Sequence, residues 1–194
     1  MIEVKIEPLK ASHISQILEI EETLFPTPWT RGMFEQELAE DPGGDGPGSH
    51  AFVAMHRGRL VGYALAWFVE DGVHLMNIAV CKELQRKGVG RILLEDLIER
   101  AVAAKKLVII LEVRAGNKAA HEFYTRLMFI RYGVRRGYYA DTHEDAILMA
   151  LDLTELTEGR RRGKGSPSNR PPCTRIPRKR PYIFSAPSPE TEIP

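Results

Sequence analysis

The segment between residues 73 and 113 constrains the possible folds of this chain more than any other stretch. It contains a strand candidate, Val73–Val80, then a glycine-containing loop, an amphipathic helix and a second strand candidate, Leu107–Val113. A strand, a helix and a strand in succession predict a right-handed crossover that places the two strands parallel to each other. The second strand reads "LVIILEV" and is apolar nearly throughout, as expected when both faces of a strand are covered. The segment therefore predicts an α/β fold with helices on both faces of a sheet.

The stretches around this crossover predict antiparallel strands. Residues 51–56 and 59–69 are strand candidates separated by a turn around Gly58, and Asp71-Gly72 is typical of a two-residue hairpin. Three further candidates read "IEVKI", "FIRYGVR" and "EDAILMAL", and a loop that carries tyrosines lies between the last two. Together they predict a mixed, mostly antiparallel sheet of six to seven strands with one central parallel pair.

Capping residues indicate where three helices begin. Ser12, Thr30 and Asn117 each precede apolar residues at helical spacing, and each side chain can accept a hydrogen bond from a first-turn N–H group. The first of these helices carries Glu21 on the same side as Ile14 and its other apolar residues. We expect these helices to pack on the faces of the sheet.

Charge is distributed unevenly along the chain. Residues 159–194 carry nine Lys and Arg against two Glu, whereas residues 1–158 carry 18 basic and 24 acidic residues. The same carboxyl-terminal stretch holds eight of the 13 prolines and few residues that could form a core. We therefore expect residues 159–194 to form a disordered, basic, proline-rich tail. Such a tail is either a solvated extension or an arm that contacts RNA or the ribosome through phosphate groups.

The sequence also predicts the compartment. Its start, "MIEVKIEPLK", lacks the apolar core of a secretory signal peptide, and no apolar run approaches the ~20 residues that span a bilayer. Cys81 and Cys173 are the two cysteines, and we expect both to be reduced thiols. The six histidines show no ligand spacing, so we expect no metal site. These features favour a cytoplasmic protein that does not bind a membrane.

The loop "QRKGVG", residues 85–90, allows two interpretations. Its two glycines either form a packing turn or bring bare backbone N–H groups to an anion at the positive end of the next helix. Arg86, Lys87 and Arg91 would add attraction for phosphate. The loop lacks the Gly-Lys-Ser/Thr ending of triphosphate sites and the three-glycine spacing of dinucleotide sites. Its spacing alone leaves both interpretations open.

Three consecutive blocks of the sequence resemble the GNAT superfamily of N-acetyltransferases. The block "NIAVCKELQRKGVGRILLEDLI" is similar to the acetyl-coenzyme A (acetyl-CoA) loop of that superfamily, whose motif is Gln/Arg-x-x-Gly-x-Gly/Ala. "LEVRAGNKAAHEFYTRLMF" resembles the strand and helix that follow it. With "RRGYYADTHEDAILMAL" added, the chain most resembles the bacterial group that acetylates the N-terminal alanine of a ribosomal protein. The resemblance runs from Ile2 to about Leu153 and implies a GNAT domain over residues 1–153, followed by the tail.

This resemblance implies acetyl-CoA as the co-substrate and assigns the site residues. Glu112 stands at the family's general-base position, and Tyr124 stands at its general-acid position. The acetyl group would pass directly to the acceptor amine, because bringing amine and thioester together accounts for most of the rate. The implied cofactor-binding residues are Ile78, Ala79, Val80, Arg86, Lys87, Gly88, Val89, Gly90, Arg91 and Asn117.

Glu112 and Tyr124 also have plain structural interpretations. Glu112 lies in an apolar run, where a carboxylate is costly unless it has a partner or a task, and it could instead face water or pair with Arg114. Tyr124 follows Phe123 on the apolar stripe of its helix and could be a core residue. A thiol titrates near ~8.5 and a phenol near ~10, so full proton transfer from tyrosine to a thiolate is uphill. We therefore expect Tyr124 to donate a hydrogen bond to the departing sulfur.

The acceptor side of the site is marked less specifically. "FPTPWT" and "YYADTHED" are expected to frame a cleft for an extended peptide terminus, with Trp29, Tyr138 and Tyr139 as its walls. Two positions depart from the family pattern and concern the fit of the substrate. Met128 replaces a glycine, and Cys81-Lys82 replaces the common Asp-Pro.

The expected acceptor is the N-terminal α-amine of a protein. The family resemblance implies that this protein is a small-subunit ribosomal protein. An α-amine has a pKa of about 7.7–8.0 and a lysine amine one of about 10.4, so the former is hundreds-fold richer in free base at neutral pH. A GNAT enzyme that acetylates lysine side chains or small amines is the alternative within the enzyme class. A non-catalytic acetyl-CoA-binding or RNA-tethered protein is the alternative outside it.

Overall fold

The computed structural model describes residues 2–41 and 46–161. Within these residues the chain forms seven strands and five α-helices, with short 3₁₀ turns at Ala11–His13 and Lys82–Leu84. The strands are β1 (Lys5–Pro8), β2 (Gly48–His56), β3 (Arg59–Phe68), β4 (Gly72–Val80), β5 (Val108–Arg114), β6 (Ile130–Tyr139) and β7 (Glu144–Asp152). The helices are α1 (Ile14–Leu24), α2 (Arg31–Ala39), α3 (Val89–Ala103), α4 (Lys118–Arg126) and α5 (Thr154–Arg161).

All seven strands belong to one sheet in the order β1-β2-β3-β4-β5-β7-β6. Only β4 and β5 are parallel among these strands, and the other neighbours pair antiparallel. Helix α3 connects the parallel pair, as the crossover pattern predicts. The expected mixed sheet with a central parallel pair is therefore confirmed.

Each face of the sheet carries its own hydrophobic core, because successive side chains of a strand point to opposite faces. On one face, α3 contributes Leu93, Leu94 and Leu97, all without solvent exposure, and α4 contributes Tyr124. The opposite face is covered by α1 and α2. The buried residues of this second core include Ile14, Ile17, Phe34, Val53, Tyr63 and Leu65.

The parallel pair separates halfway along its length. Pairing between β4 and β5 runs from Gly72 opposite Val108 to Leu75 opposite Leu111 and ends there. The pairing of β3 with β4 shifts at the same point, where one extra residue of β4, Met76, forms a bulge. A bulge bends its strand and increases the local twist. Beyond it, residues 77–80 of β4 have no strand partner on the β5 side within the described chain, and we call this opening the β4–β5 gap.

Two local expectations need correction. Ser12 does not cap α1; residues Ala11–His13 form a 3₁₀ turn, and the His13 ring accepts a hydrogen bond from the Lys10 N–H at 3.2 Å. The hairpin between β3 and β4 forms one residue earlier than expected, since the Val69 N–H bonds to the Gly72 carbonyl at 3.0 Å. The Thr30 and Asn117 caps are confirmed, with acceptor distances of 3.4 Å and 3.1 Å.

The described part of the chain continues beyond the expected domain end at Leu153. Asp152 accepts hydrogen bonds from the N–H and the hydroxyl of Thr154, which starts α5. The buried Thr157 hydroxyl donates to the Lys106 carbonyl at 3.0 Å, so α5 is tied to the domain. Helix α5 thus includes the first three residues of the expected tail, and residues 162–194 lie outside the described residues. None of the described helices is long and apolar enough to cross a membrane.

Candidate active site

The glycine loop places the start of α3 beside the β4–β5 gap. Gly88 has a φ of 92°, a left-handed conformation that glycine adopts without a steric penalty, and it occupies the N-cap position of α3. The Ile92 N–H bonds to the Gly88 carbonyl at 3.1 Å and is the first to close a helical turn. The preceding N–H groups, those of residues 89–91, therefore have no acceptor within the helix. Such a helix start is suited to bind an anion.

The second glycine brings three elements close together. A Cβ at Gly90 would lie 3.6 Å from the ring of Phe123 in α4 and 3.7 Å from the Val80 side chain at the end of β4. The first turn of α3 therefore packs between β4 and α4. Val89 anchors this turn, because its side chain is 1% exposed in the core while its backbone stays at the helix start.

The expected cations of the loop are exposed. Arg86, Lys87 and Arg91 all lie at the surface, and Arg91 pairs with Glu95 of its own helix at 2.7 Å. Arg86 also adopts a positive φ of 60°. All three are close in sequence to the free amides of the helix start, where their charge would attract phosphate.

The end of β4 offers the backbone groups that an extended ligand needs. Ile78 and Val80 face the α3 side and Ala79 faces the α1 side. The Val80 carbonyl is already bonded by the Gln85 side chain at 3.1 Å. Asn117 uses its side-chain oxygen to cap α4 at the Ala120 N–H. The structure thus brings the end of β4 and the start of α3 together at the β4 edge of the gap, whereas Asn117 starts the helix that follows β5.

Glu112 is held by two side chains other than Arg114. Its carboxylate is 11% exposed, bonds to His74 Nε2 of β4 through Oε2, and lies 3.4 Å from Arg135 Nη1 of β6 through Oε1. Arg114 instead pairs with Asp141 at 2.6 Å and with Glu144 at 3.5 Å. The simple strand-end pairing considered from the sequence is therefore not formed.

Tyr124 packs as a core residue but keeps a free hydroxyl. The residue is 8% exposed, and its ring centroid lies 5.2 Å from that of Phe123 and 5.5 Å from that of Phe129. Among the described residues, the Tyr124 hydroxyl forms no hydrogen bond. Ser49 Oγ, by contrast, is a fully buried side-chain atom of the described residues that lacks a hydrogen-bond partner. Burial raises the pKa of Tyr124, which makes the phenol a poor acid that can still donate a hydrogen bond.

Glu112 and Tyr124 lie on opposite faces of the sheet. The neighbours of Glu112 in β5, Leu111 and Val113, belong to the same core as Tyr124. Because side chains alternate along a strand, Glu112 points to the face that carries α1 and α2. Glu112 and Tyr124 therefore lie on opposite faces of the sheet, and Glu112 directly follows the last paired residue of β5 at the start of the β4–β5 gap.

Two loops meet over the Glu112 face of the sheet. The Thr27 hydroxyl of the α1–α2 loop donates to Asp141 Oδ2 of the β6–β7 loop at 3.2 Å. The Arg114 guanidinium lowers the pKa of Asp141 and also lies 3.9 Å from the centroid of the Tyr139 ring. Trp29 lies in the first loop, where its backbone N–H donates a hydrogen bond to Glu21 Oε2. These contacts join the α1–α2 loop to the β6–β7 loop on the face to which Glu112 points.

The tyrosine pair belongs to the end of β6 and not to a loop. Tyr138 and Tyr139 contact each other edge to face at 5.1 Å, and Tyr138 remains 38% exposed. Arg135 lies 5.4 Å from the Tyr138 ring, so the side chain that contacts Glu112 also contacts this tyrosine. Burial raises the pKa of Tyr132, on which Glu112 also acts electrostatically. Arg135 thus lies between the expected tyrosine pair and the Glu112 carboxylate, and Tyr132 lies within electrostatic reach of that carboxylate.

Two buried polar residues were not identified from the sequence as parts of the site. Glu21 is fully buried and accepts hydrogen bonds from the Tyr63 hydroxyl, from Asn77 at 3.2 Å and from the Trp29 N–H at 2.7 Å. Its position on the apolar side of α1 was the available signal. His74 is 3% exposed beside Glu112, and no pattern in β4 marks it.

The replacement of glycine by Met128 leaves the bend after α4 in place. Met128 has a φ of 68° and is 51% exposed. A left-handed conformation costs an L-residue about 1–2 kcal/mol. The next residue, Phe129, is buried in the core and is 1% exposed. Cys81, which with Lys82 replaces the common Asp-Pro of the family, is a half-buried free thiol. Burial raises its pKa.

Comparisons with known proteins identify the family of this chain. The Acetyltransferase (GNAT) family profile matches residues 14–129, more than half of the chain. The chain is 34% identical over 151 residues to the ribosomal protein bS18-alanine N-acetyltransferase of Escherichia coli, covering 77% of this chain and 97% of that relative. The crystal structure of the E. coli ribosomal-protein-S18-alanine N-acetyltransferase matches with a TM-score of 0.70 and 33% identity, over 78% of this chain and 95% of that one.

A more distant structure shares the fold. Arabidopsis thaliana NAA60 in complex with acetyl-CoA matches with a TM-score of 0.67 and 17% identity, over 78% of this chain and 99% of that one. The resemblance inferred from the three sequence blocks is confirmed by the family profile and by the E. coli relative. The chain belongs to the GNAT family of acetyltransferases.

Proposed function

We propose that this protein transfers the acetyl group of acetyl-CoA to the N-terminal α-amine of a protein. Glu112 acts as the general base, and Tyr124 acts as the general acid through a hydrogen bond to the departing sulfur. The observation that carries the proposal is that Glu112, at the start of the β4–β5 gap, and Tyr124 lie on opposite faces of the sheet.

The residues at the gap fit acetyl-CoA. The free N–H groups of residues 89–91, with Arg86 and Lys87, suit a diphosphate, because amides at a helix start and nearby cations both favour negative charge. The backbone of residues 78–80, which pairs with β3 but not with β5, suits the extended pantetheine arm. Asn117 starts the helix after β5, on the other side of the gap. The thioester supplies an activated acetyl group.

The acid–base roles follow from the surroundings of each group. Glu112 accepts the proton that the amine loses, and its polar partners make a buried carboxylate tolerable. Tyr124 stabilises the leaving sulfur by hydrogen bonding, since its raised pKa disfavours full proton transfer. No covalent enzyme intermediate is required.

The acceptor that we propose is the N-terminal alanine of a small-subunit ribosomal protein. The E. coli relative is named for ribosomal protein bS18. The acceptor terminus would bind on the Glu112 face, where the α1–α2 loop meets the β6–β7 loop. An α-amine, with a pKa of about 7.7–8.0, loses its proton more readily than a lysine amine, with a pKa of about 10.4. A single carboxylate base is therefore suited to an α-amine.

Mass spectrometry of acetylated peptides tests this function. The protein is incubated with isotopically labelled acetyl-CoA and two peptides of one sequence, one with a free N-terminal alanine and an internal lysine, the other with a blocked N-terminus. We expect label at the α-amine of the first peptide and none on the second. Label on the lysine of both peptides would favour the lysine-modifying alternative. Absence of transfer to any peptide, with acetyl-CoA bound, would favour a non-catalytic binder.

A further inference from the structure

We propose that His74 is a positioning residue, which orients the Glu112 carboxylate for proton removal from the acceptor amine. The proposal rests on the proposed function, since it takes Glu112 as the base. His74 lies outside the three sequence blocks that carry the family resemblance. It is assigned here from its contact with Glu112 alone.

The contact lies at the point where β4 and β5 separate. The last paired residues are Leu75 and Leu111; His74 precedes the first of them and Glu112 follows the second. The hydrogen bond between His74 Nε2 and Glu112 Oε2 therefore crosses diagonally between the two strands at the start of the gap. It fixes the carboxylate relative to the gap in which the thioester is proposed to bind.

His74 is itself held rigidly. It is 3% exposed and stands between Trp67 of β3 and Ile110 of β5 in the register of the sheet. The Trp67 indole is in turn fixed by a 2.6 Å hydrogen bond to Glu37 of α2. A buried donor with immobile neighbours can impose one orientation on its acceptor, as second-layer partners do for groups that react.

The division of the two carboxylate oxygens follows from these contacts. His74 occupies Oε2, so Oε1 remains for Arg135 and for the acceptor amine. A carboxylate accepts only, so the His74 tautomer that fits has its proton on Nε2. Arg135 is 30% exposed and lies 3.4 Å away, which makes it the weaker constraint of the two. Without His74, the contact with Arg135 at 3.4 Å would remain as the weaker restraint on the three side-chain torsions of Glu112.

Two substitutions of similar length separate the donor from the bulk of His74. His74→Gln keeps an N–H donor that can reach Oε2, whereas His74→Met fills similar space without one. We expect His74→Met to lower kcat by about 10²-fold, the scale of a misplaced catalytic group, with the KM for acetyl-CoA unchanged. His74→Gln should recover most of that loss. His50→Met is the matched control, because His50 is also a buried histidine but bonds to the Gly46 carbonyl.

A double-mutant cycle with Glu112→Gln shows whether His74 acts through Glu112. We expect His74→Met to have little further effect on kcat once Glu112 is replaced, because residues that act as one unit are not additive. Acetyl-CoA calorimetry on each variant shows that it is folded, and His74→Leu serves as a second donor-free variant if His74→Met does not fold. Equal kcat values for the Gln variant and the donor-free variant, or fully multiplicative losses in the cycle, would overturn the proposal.

The same data distinguish this proposal from the proposed function. If Glu112→Gln alone turns over at the wild-type rate, the base assignment fails and the His74 role fails with it. If Glu112→Gln is slow while both His74 variants match the wild type, only the role of His74 is wrong.

Discussion

At the scale of single residues, Tyr124 and Tyr63 offer a matched comparison. The Tyr124 hydroxyl has no hydrogen-bond partner in the described residues, whereas the Tyr63 hydroxyl donates to the buried Glu21. Tyr124→Phe should therefore leave the free energy of unfolding nearly unchanged and lower kcat by about 10²-fold, the lower end of acid–base effects.

Tyr63→Phe should show the opposite pattern. It leaves a buried carboxylate with one donor fewer, which costs about 1–3 kcal/mol of stability. Denaturant unfolding and steady-state kinetics on both variants check the pair. A Tyr124→Phe variant with full kcat would contradict the role of its hydroxyl.

Glu21 should make the free energy of unfolding depend on pH. Burial raises the pKa of Glu21, so the native state binds this proton more tightly than the unfolded chain does. The protonated form of Glu21 contributes stability at low pH. This contribution is lost as the pH rises from about 4.3, the usual pKa of a glutamate, through the raised pKa of Glu21. Above that pH the native state must hold a buried charge. Glu21→Gln does not titrate there.

The free energy of unfolding of the wild type minus that of Glu21→Gln should therefore fall as the pH rises from about 4 to about 7. Denaturant titrations at several pH values measure this difference directly. A difference that stays constant or increases with pH would contradict the raised pKa.

Single residues also mark the limit of sequence-based prediction. Glu112 and Tyr124 were identifiable because they lie in motifs of contiguous residues. The partners of Glu112 were not, because His74 and Arg135 come from strands far along the chain on either side of it. Glu21 gave a partial signal, since a carboxylate on the apolar side of a helix needs buried donors. Which donors it finds depends on the sheet.

At the scale of elements, the two glycines of the α3 loop should respond differently to alanine. Gly88 has a φ of 92°, so Gly88→Ala strains the loop by about 1–2 kcal/mol. Gly90 has no such constraint, and its added Cβ would make ordinary contacts at 3.6–3.8 Å with Phe123 and Val80. Gly88→Ala should weaken acetyl-CoA binding by roughly 10-fold, and Gly90→Ala should not. Titration calorimetry with acetyl-CoA measures both; equal affinities would contradict the role of the Gly88 conformation.

The elements were predicted better than the features that open the site. Apolar periodicity indicated the sheet, the crossover and the Thr30 and Asn117 caps, because these depend on neighbouring residues. The bulge at Met76 interrupts the alternation, because Met76 and Asn77 both point to the α1–α2 face. It was missed because both faces of β4 carry apolar residues, so the interruption is hard to recognise in the sequence. The hairpin was predicted one residue late because Asp71-Gly72 is a common turn pair, whereas here Glu70 and Asp71 are the central residues.

At the scale of the whole molecule, catalysis and the tail should be separable. The site is built from residues between α1 and β7, and α5 ends at Arg161. Removal of residues 162–194 should therefore leave kcat/KM for a short peptide unchanged. If the basic residues contact RNA, the same truncation should lower kcat/KM for a ribosome-bound acceptor and reduce its salt dependence. Loss of peptide acetylation on truncation would place the tail in the site.

The proposed catalysis depends on the Glu112 carboxylate at the start of the β4–β5 gap. The most direct test is single-turnover acetyl transfer to an N-terminal alanine peptide by the wild type and by Glu112→Gln, with acetyl-CoA binding measured on both. We predict unchanged acetyl-CoA affinity and transfer slowed by about 10²–10⁴-fold in the variant, the usual range for a general base. Transfer at the wild-type rate by a Glu112→Gln protein that binds acetyl-CoA normally would contradict the account.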